Sequence, residues 1–183
     1  MSLKYTLLGF LSFAPMTGYD LKKYIDSSTE FFWHAELAQI YPTLKQLEET
    51  GLVESEVEPQ EGKPDRKIYS LTKAGRAALS EWLNEPLSEI PPIKEPVLLQ
   101  LFFSGALGKT MVLEQLQRQL ALHRAKLKHY QTETKAVIQE VISLTGLKRD
   151  GVMWELTRQF GEDYEKHYIR WLERAIQTVD ENL

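Results

Sequence analysis

A polar-headed amphipathic helix closed by a glycine, then two short alternating segments joined by a turn-rich loop, leaves this chain few folds to choose from. Leu37, Ile40, Leu44 and Leu47 recur at spacings of three and four, one apolar stripe on a helix expected to start near Glu36 and end at Thr50. Gly51 suits the left-handed residue that ends such a helix, and Leu52 the hydrophobic contact beyond it. Pro42 costs a backbone hydrogen bond unless it lies in the first turn, so the regular helix is expected to begin around Ile40 or Tyr41. Residues 53–58 and 66–71 alternate in polarity, and the loop between them, residues 59–65, concentrates turn formers, so the unit reads as a β-hairpin. A helix carrying Gln39, Tyr41, Thr43 and Lys45 on the exposed face of its amino end, followed by a basic-tipped hairpin, describes a winged helix-turn-helix. Double-stranded DNA is then the leading candidate partner.

The flanking sequence supports the same small domain. Residues 2–13 place Leu3, Leu7, Leu8, Phe10 and Leu11 on a buried first helix, which Pro15 ends. Thr17 and Asp20 have the spacing of a capping box opening a second helix to about Ser27, with Tyr19 or Leu21 through Tyr24 and Ile25 inward. Phe31-Phe32-Trp33 is expected to pack as an aromatic turn. Thr72 should cap a fourth helix reaching Asn84, with Ala74, Ala78, Leu79 and Trp82 on its inner side.

Charge does not help a DNA contact. The net charge is −4, and residues 1–84 hold nine Lys+Arg against twelve Asp+Glu, giving −3. Phosphate neutralisation supplies much of the affinity for a duplex, so contact must come from placed cations. Lys63, Arg66, Lys67, Lys73 and Arg76 fall within fourteen residues and supply that local asymmetry.

Four of the eight prolines lie between Glu85 and Pro96, which no helix can cross. The chain therefore divides into a winged-helix domain at 1–84, a proline-rich linker at 85–96 and a helical domain at 97–183. In the last, Leu113, Leu116, Leu120, His123, Leu127, Tyr130, Thr134, Val137, Val141 and Leu144 alternate spacings of three and four, and eight of the ten are apolar. Gly146 and Gly151 bracket a break, and a final helix from Val152 to Thr178 repeats the pattern through Met153, Phe160, Tyr164, Tyr168, Trp171 and Ala175. Two long, coiled-coil-like helices with such seams read as a homodimerisation arm, the alternative being a hairpin within one chain. The expected fold is mainly α. Aromatics concentrate at Tyr130, Trp154, Phe160, Tyr164, Tyr168 and Trp171. They are either the core between the long helices or the lining of an effector pocket for a flat aromatic molecule.

Several activities lack their residues. Cysteine is absent, which excludes disulfides, thiolate metal sites and a cysteine nucleophile. Gly108-Lys109-Thr110 is no phosphate loop, because Phe103 stands where its first glycine should be. His34, His123, His129 and His167 include no pair at the spacing of a helical metal site. No catalytic motif is present, so neither enzyme activity nor a cofactor is expected. The apolar stretch 5–14 has one preceding lysine and no cleavage signal, which argues against a leader and for the cytoplasm.

Leu3-Lys4-Tyr5 with Leu8-Gly9, Met16-Thr17-Gly18-Tyr19-Asp20-Leu21-Lys22, Gln39-Ile40-Tyr41-Pro42-Thr43-Leu44, and Tyr69-Ser70-Leu71-Thr72 with Gly75-Arg76 resemble the PadR family of bacterial transcriptional regulators. Phe31-Phe32-Trp33 and the two-helix carboxyl region look like its virulence-activator, AphA-like subgroup. The resemblance implies a dimeric regulator, usually a repressor, in which the amino end of the third helix enters the major groove. That role falls here on Gln39, Tyr41, Pro42, Thr43 and Lys45. The hairpin tip, near the minor groove or backbone, falls on Lys63, Arg66 and Lys67; Asp65 stands where the family often has arginine. Gln39 can pair with adenine, Thr43 offers a hydroxyl and a methyl, and Tyr41 and Lys45 suit phosphates. Paired copies imply a pseudo-palindromic site. Some relatives bind phenolic or drug-like compounds, which implies an effector site at Tyr130, Trp154, Tyr164 and Trp171. The dimer seam is expected at Leu113, Leu116, Leu120, Leu127, Tyr130, Val137, Phe160, Tyr164, Tyr168 and Trp171. A winged-helix module that binds protein instead of DNA is the competing reading, motivated by the acidic balance and Asp65.

Overall fold

The computed structural model describes residues 3–29, 32–60, 62, 65–90 and 92–183. They divide into two compact units between Ile90 and Pro91.

In the first unit, α1 (Leu3–Leu11) buries Leu7, Leu8 and Leu11. A two-residue strand β1 (Met16–Thr17) follows, too short for any alternation to reveal. Thr17 also caps α2 (Gly18–Ser28) as expected: the Asp20 N–H donates to Thr17 Oγ1 at 3.1 Å and the Thr17 N–H donates to Asp20 Oδ2 at 3.2 Å. The inner face of α2 is narrower than the sequence suggested. Leu21 and Ile25 are fully buried, but Tyr19 is 66% exposed and Tyr24 48% exposed. Positions 21 and 25 lie one turn apart, whereas 19 and 24 fall to either side of that stripe.

The third helix, α3, runs Leu37–Glu49 with Pro42 inside it, so it starts three or four residues before the position that the proline implied. The Gln39 and Ile40 N–H groups both donate to the Glu36 carbonyl, at 2.8 and 3.1 Å. The first turn is thus closed ahead of Pro42, which forfeits one bond without unwinding it. At the other end Gly51 sits at φ 70°, the Leu52 N–H reaches Leu47 O and the Gly51 N–H reaches Glu48 O, a full Schellman closure.

Strands β2 (Val53–Glu58) and β3 (Arg66–Leu71) pair antiparallel from Val53↔Leu71 to Glu58↔Arg66. The sheet order is β1-β3-β2. Helix α4 (Lys73–Asn84) begins at a Thr72 cap. Its inner side includes Gly75 rather than Ala74, because a Cβ at position 75 would lie 2.1 Å from the Leu52 carbonyl oxygen. The core is aliphatic, from Leu7 and Leu8 through Ile40, Leu44 and Leu47 to Leu79. Tyr5 and Trp82 stack across α1 and α4 at 4.7 Å.

The second unit opens with α5 (Pro96–Phe102), whose proline stands at the first helical position, and a short 3-10 turn over Ser104–Ala106. Helix α6 (Lys109–His129) passes through one π-helical turn, Tyr130–Thr134, into α7 (Lys135–Thr145). The expected single regular helix from Leu113 to Leu144 is therefore interrupted. Gly146, at φ 70°, ends α7. Gly151 does not break anything: α8 (Lys148–Asn182) already begins at Lys148. A Cβ at Gly151 would lie 2.3 Å from Ile142 Cδ1, so this glycine lets α7 and α8 approach closely.

Helices α6 and α8 are antiparallel, tied by Lys109–Asp180 at 3.0 Å and His123–Glu165 at 2.5 Å, and Gln131 of the π-helical turn reaches Glu162 at 3.2 Å. Much of the seam assigned to a second copy is spent here instead. Leu116 and Tyr168 are buried in this chain's own core, with Leu120 and Trp171 packed against it, and Tyr130 is buried as well. Leu113 and Leu127 are half-buried, while Val137, Phe160 and Tyr164 remain exposed at 46%, 67% and 39%. Alternation of three and four marks an apolar stripe without saying which helix covers it. Among the described residues no helix is long and apolar enough to cross a membrane.

Candidate nucleic-acid interface

Glycine at position 18 lets α2 and α3 meet at their amino ends. The Tyr41 ring occupies the space where a side chain would project, its Cε1 2.6 Å from a Cβ built there. Tyr41 is thereby held against α2 while remaining 49% exposed. Around it Gln39 and Pro42 are exposed, Thr43 is half-buried, and the Lys45 side chain is 76% exposed. The five residues expected to meet DNA thus share the outer side of the first half of α3.

Two of them are already bonded. Gln39 Oε1 accepts the Glu36 N–H at 3.2 Å, and Thr43 Oγ1 donates to Gln39 O at 2.7 Å. The Gln39 amide nitrogen is left as a donor by the first of these bonds. Lys45 lies 3.8 Å from Glu49, a loose surface pair of the kind worth about 0–1 kcal/mol.

On the hairpin, Arg66 and Lys67 are held by carboxylates. Arg66 lies 3.6 Å from Asp20 Oδ2 and 3.9 Å from Glu58 Oε2. Lys67 Nζ donates to Glu48 Oε2 at 2.7 Å and sits 5.1 Å above the Tyr69 ring. Ser55 Oγ donates to the other oxygen of Glu48, so one carboxylate on α3 ties down both strands of the wing. These contacts set the titration of the acids. Glu48 is held below the ordinary carboxylate range by Lys67 and then Ser55, and the Lys67 ammonium is raised by Glu48 in turn. Asp20 is lowered mainly by the Thr17 hydroxyl, with Arg66 contributing. Lys63 lies outside the described residues, as does Phe31 of the aromatic turn.

Asp20 and Glu48 were not recognisable as partners of the wing. Asp20 read only as a cap, and its approach to Arg66 depends on β1 pairing with β3, Thr17 opposite Ile68. Tyr19, a core candidate by sequence, is exposed beside Tyr41's anchor point, and Lys23 one turn further along α2 is also exposed. Only the burial of Leu21 and Ile25 settles which way α2 faces.

The residues expected at an effector site take different places in the second unit. Tyr130 is buried, Trp154 and Trp171 are half-buried, and Tyr164 lies on the outer side of α8. Tyr164 and Trp171 each meet the ring of Tyr168, at 5.8 and 5.4 Å between centroids. The Tyr164 hydroxyl donates to Glu95 Oε2 at 3.2 Å; its pKa is pushed up to about 12 by burial and the Glu95 charge. A cavity of about 420 Å³ lies elsewhere in this unit, between α5 and α6, lined by Val97, Leu101, Val112, Leu116 and Leu122 with Gln100, Gln115, Gln119 and Arg118.

A wing folded on a two-helix reader with an exposed polar face defines a winged helix-turn-helix regulator. Comparison with known proteins gives the family. Residues 7–81 match the model of the transcriptional regulator PadR-like family, and residues 93–180 match that of the virulence activator alpha C-term. The chain is 30% identical to the negative transcriptional regulator PadR of Bacillus subtilis over 98% of each chain. It belongs to the PadR-like family of transcriptional regulators and is not an enzyme. Its fold is similar to the crystal structure of Bacillus subtilis PadR in complex with operator DNA, with TM-score 0.82, 27% identity and 98% and 99% of the two chains covered. The p-coumaric acid complex of that protein matches with TM-score 0.74 and 26% identity over 97% and 98% of the chains. The Vibrio cholerae virulence activator AphA matches with TM-score 0.74 and 26% identity over both whole chains.

Proposed function

We propose that this regulator is a homodimeric, sequence-specific repressor working in the cytoplasm on a pseudo-palindromic operator. The observation that carries the reading is the outward row Gln39, Tyr41, Pro42, Thr43 and Lys45 on α3, braced through Tyr41 against α2. Gln39 is assigned to base edges, with Thr43 beside it; Tyr41, Lys45 and the wing cations Lys63 and Arg66 are assigned to phosphates, whereas Lys67 is engaged by Glu48. The operator complex of the Bacillus subtilis relative supports this assignment. Footprinting on the chain's own upstream region tests it: a protected pseudo-palindrome is expected. Lys45→Ala should weaken binding to every duplex alike and lower the salt slope by about one unit. Gln39→Ala should instead relax preference at one base pair. Absence of any protected duplex would favour the protein-interaction reading, for which the −3 charge of residues 1–84 is the argument.

The dimer contact is assigned to what the chain leaves uncovered in its second unit. Met153, Leu156, Phe160 and Tyr164 form a stripe along α8 at spacings of three and four, all exposed. A second copy covering that stripe supplies the pairing. Responsiveness to a small aromatic effector rests on the relative's p-coumaric acid complex. Titration with phenolic acids, read by the fluorescence of Trp154 and Trp171, should show quenching or a shift; no response to any of them removes the effector from the proposal.

A further inference from the structure

A carboxylate on the reading helix ordinarily repels DNA, yet Glu48 stands on α3 and is fixed in place from two strands. Ser55 of β2 and Lys67 of β3 each donate to one of its oxygens, the latter at 2.7 Å. Both partners are partly open to water, with side-chain exposures of 33% for Glu48 and 44% for Lys67, so the pair lies at the surface that the wing presents. A cation already matched to a carboxylate adds little when a phosphate arrives: the phosphate must displace Glu48, which then stands unpaired near the duplex.

We propose that Glu48 limits DNA affinity by withholding Lys67 from the phosphate backbone, suppressing sequence-independent DNA binding while leaving base readout by the other half of α3 untouched. This rests on the DNA-binding reading above. Non-specific affinity is almost wholly electrostatic, whereas specific affinity adds base contacts. Removing one available cation lowers the affinity for every duplex by about the same factor, and the non-specific complex, with no base contacts to add, is the one brought to negligible occupancy. The depressed carboxyl of Glu48 and the raised ammonium of Lys67 are consistent with a pair that stays charged and closed in the unbound protein.

The test is the affinity of the full chain for a random-sequence duplex across a potassium chloride series, by fluorescence anisotropy. Glu48→Gln keeps an acceptor for Ser55 and removes the charge. It should tighten non-specific binding several-fold and steepen the salt slope by about one unit per protomer, as expected for one phosphate newly neutralised. Glu54→Gln is the control: it changes net charge equally on the exposed outer face of β2. In a Lys67→Gln background, Glu48→Gln should have no further effect on the slope. If Glu48→Gln leaves the slope unchanged, or Glu54→Gln steepens it as much, the inference is overturned and the DNA-binding reading stands. If neither the wild type nor any variant binds a duplex at low salt, both fail. Thermal melting of each variant separates a loosened wing from a released lysine, since loosening lowers the melting temperature without steepening the slope.

Discussion

The amino-terminal unit closes its core with aliphatic side chains from three helices and the sheet: Leu7, Leu8, Leu21, Ile25, Ile40, Leu44 and Val53 are all buried to 2% exposure or less. The carboxyl unit, with about as many residues, buries Val112, Leu116 and Leu172 that far among its described residues. Its inner layer includes Arg158 and Glu165, both 6% exposed, while Phe102, Phe103 and Phe160 stand more than 65% exposed. A small dry core is complete in itself. A helical hairpin has one contact face, fills it partly with charge, and leaves apolar surface for something else to cover. The first unit is therefore suited to hold a reading surface rigid, and the second to join surfaces together.

The buried charge is where that contrast is most easily broken. Arg158 donates to both oxygens of Glu155 at 2.9 and 2.7 Å, to Glu162 at 2.7 Å and to the Tyr130 carbonyl at 3.1 Å, so it pins the π-helical turn to α8. Arg158→Ala should destabilise the carboxyl unit by about 3 kcal/mol, the cost of leaving the Tyr130 carbonyl and two half-buried carboxylates without their donor. Urea unfolding followed by Trp154 emission checks it, and a loss below 1 kcal/mol would mean that the network is solvated. In the other unit, Leu44→Ala should cost about 2–5 kcal/mol by opening a cavity in a core that cannot collapse around it. The loss should appear in Trp82 emission, and DNA binding should fall with it.

Phe160→Asp separates covering from folding. Placed in a contact between copies, it should weaken dimerisation by about 2–4 kcal/mol, the range of interface hot spots, with helical content retained. Light scattering after size exclusion reads the change, and an unaltered mass at micromolar concentration would move the contact elsewhere. The smallest effect is acid sensitivity. Glu162 is held down to about 2 by Lys166, Arg158 and Gln131, and Glu155 is lowered by Arg158. A depressed carboxyl stabilises the fold above its ordinary value near 4.5 and loses that contribution as pH falls towards 2. Stability of the carboxyl unit should therefore decline by about 1–2 kcal/mol between pH 5 and 2.5. Equal sensitivity of the two units would remove the distinction between them.

Local chemistry made most of the first unit legible. The Thr17 and Thr72 caps, the Gly51 closure and both hairpin strands follow from residues a few positions apart, and they form as the spacing implies. Pro42 does not mark the start of α3, because the Glu36 carbonyl secures the turn before it. On the candidate interface, the exposed side of α3 could be read from its stripe. The ion pairs that hold Arg66 and Lys67 could not, since Glu48 and Lys67 are nineteen residues apart and β1 has no pattern of its own.

In the second unit the heptad spacing determined that an apolar face exists, and Gly146 determined where the helix turns back. Tertiary structure alone decided that Leu116, Tyr130 and Tyr168 are spent within the chain, and that Gly151 is a packing contact instead of a break. The physical reason is the same in each case. Caps, turns and stripes are satisfied by neighbours in sequence, whereas a partner for an apolar face or a surface charge can come from any segment that the fold brings near.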